Sequence, residues 1–288
     1  MSPSHIVRTQ RLNFLKTIFY LAIMLLVMGA LGYAFLGWEG LIWGLGFTLV
    51  LAGFSGRFPT EMIMRFYRGR PLQYYEAPEL FAQVKELSYK AGLDEIPKLY
   101  LLQQRGINAF ATGHAGDTAI GVTAGLLRAL NARESYGVLA HEISHIKNKD
   151  LKVSQLAMLI NRLTRMFAFV AQVLLFINLP FLLMGEAPFS FVAILLLIIA
   201  PSLSIYLQLA ISRTRELDAD LEAAKLTGDP NGLANALERI EWFSTNGWDR
   251  LFRPEGQGMK IPAWLRSHPT TRERIRRLRG MDFLQRRA

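Results

Sequence analysis

The sequence predicts a mainly α-helical membrane protein with four transmembrane helices and a split cytoplasmic α+β domain holding a small β-sheet. Three observations predict it. Four apolar blocks of spanning length fall into two pairs. Basic residues gather at one end of every block. The two polar regions emerge on that same side, so they can fold together.

In chain order, residues 14–35 contain one charge, Lys16, and residues 36–54 contain only Glu39, beside a turn at 37–40. Residues 166–183 and 188–210 are uncharged, and Pro201 is expected to kink the fourth block. Each block is long enough to cross a hydrocarbon core of about 30 Å. The first is a retained span rather than a cleaved signal peptide, because its apolar core is long and a second block follows directly.

Arg8, Arg11 and Lys16 precede or open the first span, and Arg57, Arg65, Arg68 and Arg70 follow the second. Arg162 and Arg165 precede the third, Arg213 and Arg215 follow the fourth, and the turns at 37–40 and 185–187 hold no Lys or Arg. The positive-inside rule then puts both termini and the polar regions in the cytoplasm. The net charge of +10 and mean hydropathy of +0.20 fit basic residues resting at anionic headgroups. No nucleic-acid partner is expected, because these residues track membrane boundaries and no RNA or DNA motif accompanies them.

The expected organisation is a transmembrane hairpin at 1–56, a first cytoplasmic part at 57–165, a second hairpin at 166–210 and a second cytoplasmic part at 211–288. In the first part, residues 79–90 read as a helix stopped by Gly92. Residues 98–103, 108–112 and 119–123 read as strands, punctuated by Gly106, Gly113 and Gly116. In the second part, 212–226 and 232–243 read as helices split by Gly228-Asp229-Pro230, 246–262 as a loop, and 270–278 as a basic terminal helix.

His141-Glu142-Ile143-Ser144-His145 is an H-E-x-x-H motif. On a helix, positions i and i+4 share a face, and two imidazoles can reach one metal ion. Asn131 and Glu134 form a capping-box pattern, so a helix over 132–148 is expected to carry both histidines. Glu142 is placed to deprotonate water. The chain has no cysteine, which excludes disulfides and thiolate ligands and leaves nitrogen and oxygen donors. A third ligand is needed, and 212–226 offers Glu216, Asp218, Asp220 and Glu222. Glu216 is the choice, with Asp220, four residues on, accepting a hydrogen bond from a ligating histidine.

Several runs together resemble the HtpX family. They are HEISHI with Asp150 behind it, Asn108 to Gly113 (NAFATG), Ser212 to Asp220 (SRTRELDAD), and His268 to Ile275 (HPTTRERI). That family comprises integral-membrane zinc endopeptidases related to the CAAX prenyl endopeptidases among the gluzincins. The resemblance implies a zincin-like protease domain with one Zn2+ per chain on His141, His145 and Glu216. It also implies a bacterial inner-membrane location and cleavage of misfolded or damaged membrane proteins, with the lipid bilayer and unfolded polypeptide as partners. Position 218 departs from expectation, since a small or apolar residue would suit it better than Asp.

On that basis Glu142 is the general base, and His268 is an oxyanion donor on family grounds. Arg213 and Arg274 are expected to brace Asp220 or neighbouring carboxylates. Asn108, Ala109, Phe110 and Ala111 are expected to form an edge strand that pairs with substrate backbone. His5 and His114 read as surface or turn histidines. A non-catalytic scaffold with a structural metal site is the alternative, but such a site needs no Glu142. A membrane-tethered basic adaptor would not need Glu216.

Overall fold

The computed structural model describes residues 3–54, 59–180, 184–185, 191–246 and 271–285. The chain divides into two compact units. One comprises Met1–Gln10, Gly56–Leu151 and Arg215–Ala288, and the other Arg11–Ser55 and Lys152–Thr214. The boundaries between these units fall near 151 and 214, because the long helices begin or end in polar sequence.

The apolar unit is built from most of α1 (Pro3–Phe54), most of α6 (Asp150–Ile177) and the first part of α7 (Phe191–Thr227). These supply three helices long and apolar enough to cross a membrane. Helix α1 is broken at Gly37, whose φ of 61° and ψ of −142° suit glycine. A Cβ added at Gly32 would lie 2.4 Å from the Gly40 carbonyl oxygen, and one at Gly40 2.1 Å from that of Gly32. Residues eight apart in a straight helix are about 12 Å apart, so the chain reverses here. Gly29 against Leu45 and Gly44 against Met28 continue the contact along both limbs. Met24, Ile160, Leu197 and Ile211 are buried inside this unit, whereas Phe19, Trp43, Phe169 and Ile198 face outward. That inversion suits a lipid solvent. Two polar side chains inside it find partners: Thr164 donates to the Ile160 carbonyl at 2.9 Å within its own helix, and the Asn161 amide donates to Gln208 on the next. Pro201 lies inside α7, which continues unbroken to Thr227. The polar helix expected at 212–226 is thus the end of the fourth apolar block's helix.

The polar unit holds a four-stranded sheet of order β1-β2-β4-β3, from β1 (Gly69–Pro71), β2 (Lys98–Leu102), β3 (Ala109–His114) and β4 (Asp117–Thr123). The outer pairs are antiparallel and β2–β4 is parallel. Its helices are α2 (Thr60–Phe66), α3 (Pro78–Ala91), α4 (Ala124–Ala129), α5 (Ala132–Lys147), α8 (Pro230–Asn246) and α9 (Thr271–Gln285). Gly92 ends α3 in the left-handed conformation at φ 69°.

Helix α5 packs against α3, α8 and β3, and Leu139, Ala140 and Ile143 are fully buried in the main core. Its start is set by the capping box: Asn131 Oδ1 accepts from the Glu134 N–H at 2.9 Å, and Glu134 Oε2 accepts from the Asn131 N–H at 3.0 Å. Such a cap contributes about 1 kcal/mol. Gly137 lets α8 approach closely, for its Cβ would lie 2.6 Å from the Leu233 nitrogen.

Candidate metal centre

Helix α5 puts His141 and His145 one turn apart, and the end of α7 brings Glu216 to them. His141 Nε2 and His145 Nε2 are 3.2 Å apart. Glu216 Oε2 is 3.4 Å from His141 Nε2, and Oε1 is 3.8 Å from His145 Nε2. A tetrahedral zinc with bonds of 2.0–2.1 Å holds its ligand atoms about 3.3 Å apart. The three side chains therefore fit one metal ion. Among the described residues they form the one group of three or more His and acid side chains close enough to do so.

Both imidazoles are fixed from behind. His145 Nδ1 faces Asp150 Oδ2 at 2.9 Å, and His141 Nδ1 faces Asp220 Oδ1 at 3.1 Å. Donation from each Nδ1–H leaves both Nε2 lone pairs turned toward Glu216. Arg274 secures the second pair, donating to Asp220 at 2.7 and 2.8 Å and meeting Glu216 at 3.0 Å. Arg215 secures the first, donating to Asp150 at 3.2 Å and to Asp218 at 2.8 Å.

The centre lies at the edge of the sheet. Strand β3 is terminal in the sheet order. The Ala111 N–H does not serve the ladder but donates to Glu142 Oε2 at 2.8 Å. That bond holds the carboxylate beside the three ligand atoms. Burial raises the Glu142 carboxyl above its ordinary pKa, against the pull of both histidines and the Ala111 N–H. For His141, burial and the Arg274 charge oppose protonation. The Asp220 and Glu216 carboxylates outweigh them and push its pKa up to about 10. The Glu216 and Asp220 carboxylates flanking His141 give the site an anionic field suited to a cation.

Residues 75–282 match Peptidase family M48. The chain belongs to this family. Its relatives include the Protease HtpX homologs of Aquifex aeolicus, 38% identical over 82% of this chain and 83% of theirs, and of Acaryochloris marina, 36% identical over 96% and 97%. That of Thermococcus sibiricus is 35% identical over 92% and 95%. In fold the chain is similar to the crystal structure of S. mikatae Ste24p, with a TM-score of 0.55 and 20% identity over 94% of this chain and 67% of that one. This M48 protein is a membrane metalloprotease of the HtpX kind, and M48 enzymes use zinc.

Other expected residues are distributed as follows. The Asn108 backbone is occupied, its carbonyl accepting from the Thr123 N–H and its N–H donating to Thr123 Oγ1, both at 3.0 Å. Phe110 turns to the opposite face of the sheet, packing on Tyr67 at 5.0 Å and on the Met64, Tyr100 and Ala119 cluster. Its ring therefore braces the strand, and the outward groups of β3 are the backbone at Ala109 and Ala111. Arg213 falls in the apolar unit. His114 ends β3 and is half-buried. His268, the side chain of His5 and the 246–262 segment beyond Asn246 lie outside the described residues. Sequence reasoning gave Asp150 and Arg215 no role at the metal centre. Asp150 stood in the HEISHI run, five residues after His145, and that short spacing was the available signal.

The helix 212–226 carboxylates do not form a solvated acidic face. All four are buried, and each has a cationic or imidazole partner. Glu222 accepts from Lys147 at 2.6 Å and from Lys225 at 3.0 Å.

Proposed function

We infer that this chain is a single-zinc endopeptidase of a bacterial inner membrane that cleaves misfolded or damaged membrane proteins on the cytoplasmic side. The observation that carries this reading is the meeting of His141, His145 and Glu216 within 4.8 Å, with Glu142 held beside them. Bound there, zinc supplies Lewis-acid polarisation of the peptide carbonyl and of water.

The protein side chains do the rest. Asp220 and Asp150 orient the two ligating rings. Glu142 takes a proton from the attacking water and delivers it to the leaving amine. The Ala111 N–H holds its carboxylate in place for this. The outward backbone of β3 at Ala109, with the Ala111 carbonyl, binds the substrate as an added strand, which gives affinity with little side-chain selectivity. His268 donates to the developing oxyanion.

The reversal at Gly37 supports counting four spans from three long apolar helices. The placement of basic residues supports a cytoplasmic peptidase unit, in reach of membrane-protein loops and unfolded polypeptide. The alternative, a scaffold with a structural metal, has no use for a carboxylate held by the edge strand.

Purified protein assayed for zinc and for casein cleavage, with and without chelator, tests the reading. Glu142→Gln should keep stoichiometric zinc and lose at least 10²-fold in kcat. Substantial cleavage by the zinc-loaded variant would refute the base assignment. His268→Ala should lower kcat by about 10²-fold with KM little changed, and an unaltered kcat would remove it from the mechanism.

A further inference from the structure

Asp218 is the residue that family resemblance leaves without a purpose. It is 3% exposed, and a buried carboxylate this deep is costly unless it is paired. Its partner is Arg215 on the same helix, one turn back, whose other amino group reaches Asp150. Asp150 in turn holds His145. Asp218, Arg215, Asp150 and His145 thus form a continuous chain from α7 through the first residue of α6 to α5.

The same arrangement stands behind the other histidine. Arg274 bridges Asp220, which holds His141, and Glu216. In each case an arginine lies between two carboxylates, one of which holds an imidazole. The difference is that Glu216 is a ligand candidate, whereas Asp218 touches no ligand. Its described route to His145 runs through Arg215 and Asp150.

We propose that Asp218 and Arg215 are positioning residues for zinc at His145, setting metal affinity without touching substrate. This rests on the reading of His145 as a ligand. The guanidinium is planar and forked, so fixing one end at Asp218 fixes the direction from which the other meets Asp150 Oδ1. That leaves Asp150 Oδ2 aimed at His145 Nδ1. Charge supports the assignment as well. Asp150 and Arg215 alone would be neutral, and Asp218 leaves the group with one net negative charge beside the cation site. A lysine could not serve both carboxylates with the same geometry.

The test measures zinc dissociation by competition with a chelating dye, together with kcat, KM and thermal stability, on the full chain in detergent. Asp218→Asn should weaken zinc binding by about 10- to 100-fold, as for other outer partners of metal ligands. Cleavage should fall at limiting zinc, return when zinc is added in excess, and show no change in KM. Arg215→Lys should resemble Asp218→Asn rather than wild type. Should either variant fold poorly, the Arg215→Gln/Asp218→Asn double variant removes both charges together and still predicts weakened zinc binding. Zinc affinity within twofold of wild type in the folded variants, with only a lower melting temperature, would overturn the proposal. A wild-type protein that binds no zinc would instead overturn the peptidase reading itself, so the two failures are distinguishable.

Discussion

Gly137→Ala sets two opposed effects against each other at the helix that carries the histidines. Alanine is favoured over glycine inside a helix by about 1 kcal/mol. Against that, the new Cβ would lie 2.6 Å from the Leu233 nitrogen and 2.9 Å from its Cα, where ordinary contact begins near 3.4 Å. Helices α5 and α8 would have to separate by about 0.8 Å. Both opposing atoms are backbone, so no side chain can rotate out of the way. Leu139, Ile143, Leu233 and Ala234 pack the same region and are all at most 2% exposed, so the separation would open contacts around them. Overpacking of this kind costs about 1–3 kcal/mol. Because both opposing atoms are backbone, the cost should fall toward the upper end of that range and the clash should win, with a net loss of up to about 2 kcal/mol. His141 lies one turn further on, so zinc affinity should fall as well. Thermal unfolding in detergent, followed by helical circular dichroism with and without zinc, measures the first effect, and dye competition the second. A variant as stable as wild type, or more stable, with unchanged zinc affinity, would show that the helix contact has slack and that the reasoning is wrong.

Two further outcomes follow from particular contacts. Glu216→Ala should lower zinc content after purification, and unchanged stoichiometry would move the third ligand elsewhere. Asp117 accepts from Lys98, its main stabiliser, and from the Thr60 N–H and hydroxyl, which together lower its pKa to about 2 despite partial burial. An aspartate depressed in the fold stabilises above its unfolded pKa of about 3.9 and loses that contribution as pH falls through about 2. The loss should be about 1 kcal/mol, since Lys98 is exposed and screened. Asp117→Asn should be less stable at neutral pH and flatter than wild type between pH 4 and pH 2; parallel curves would count against the assignment.

Local chemistry explains what could be read in advance. The start of α5 follows from Asn131 and Glu134, because a capping box is satisfied within four residues. The α3 stop follows from Gly92, and the chain reversal from the 37–40 turn. The two histidines share a face through helical periodicity alone. Other features depend on partners distant in sequence. Strand β1 is three residues ending in Pro71, with no alternation to betray it, and exists because it pairs with β2. The parallel β2–β4 pairing and the turning away of Phe110 come from how the sheet packs. The continuity of α7 past residue 210 was hidden because hydropathy changes within one helix.

Composition and spacing alone determined that this chain carries membrane-length apolar helices and an H-E-x-x-H helix, because spans, caps and helix faces are set by residues within a few turns of one another. Only the tertiary structure decided which acid stands behind which histidine. Asp150, Arg215, Asp218, Asp220 and Arg274 lie on α6, α7 and α9, and a buried charge takes the partner that folding brings within about 3 Å, whatever the distance along the chain.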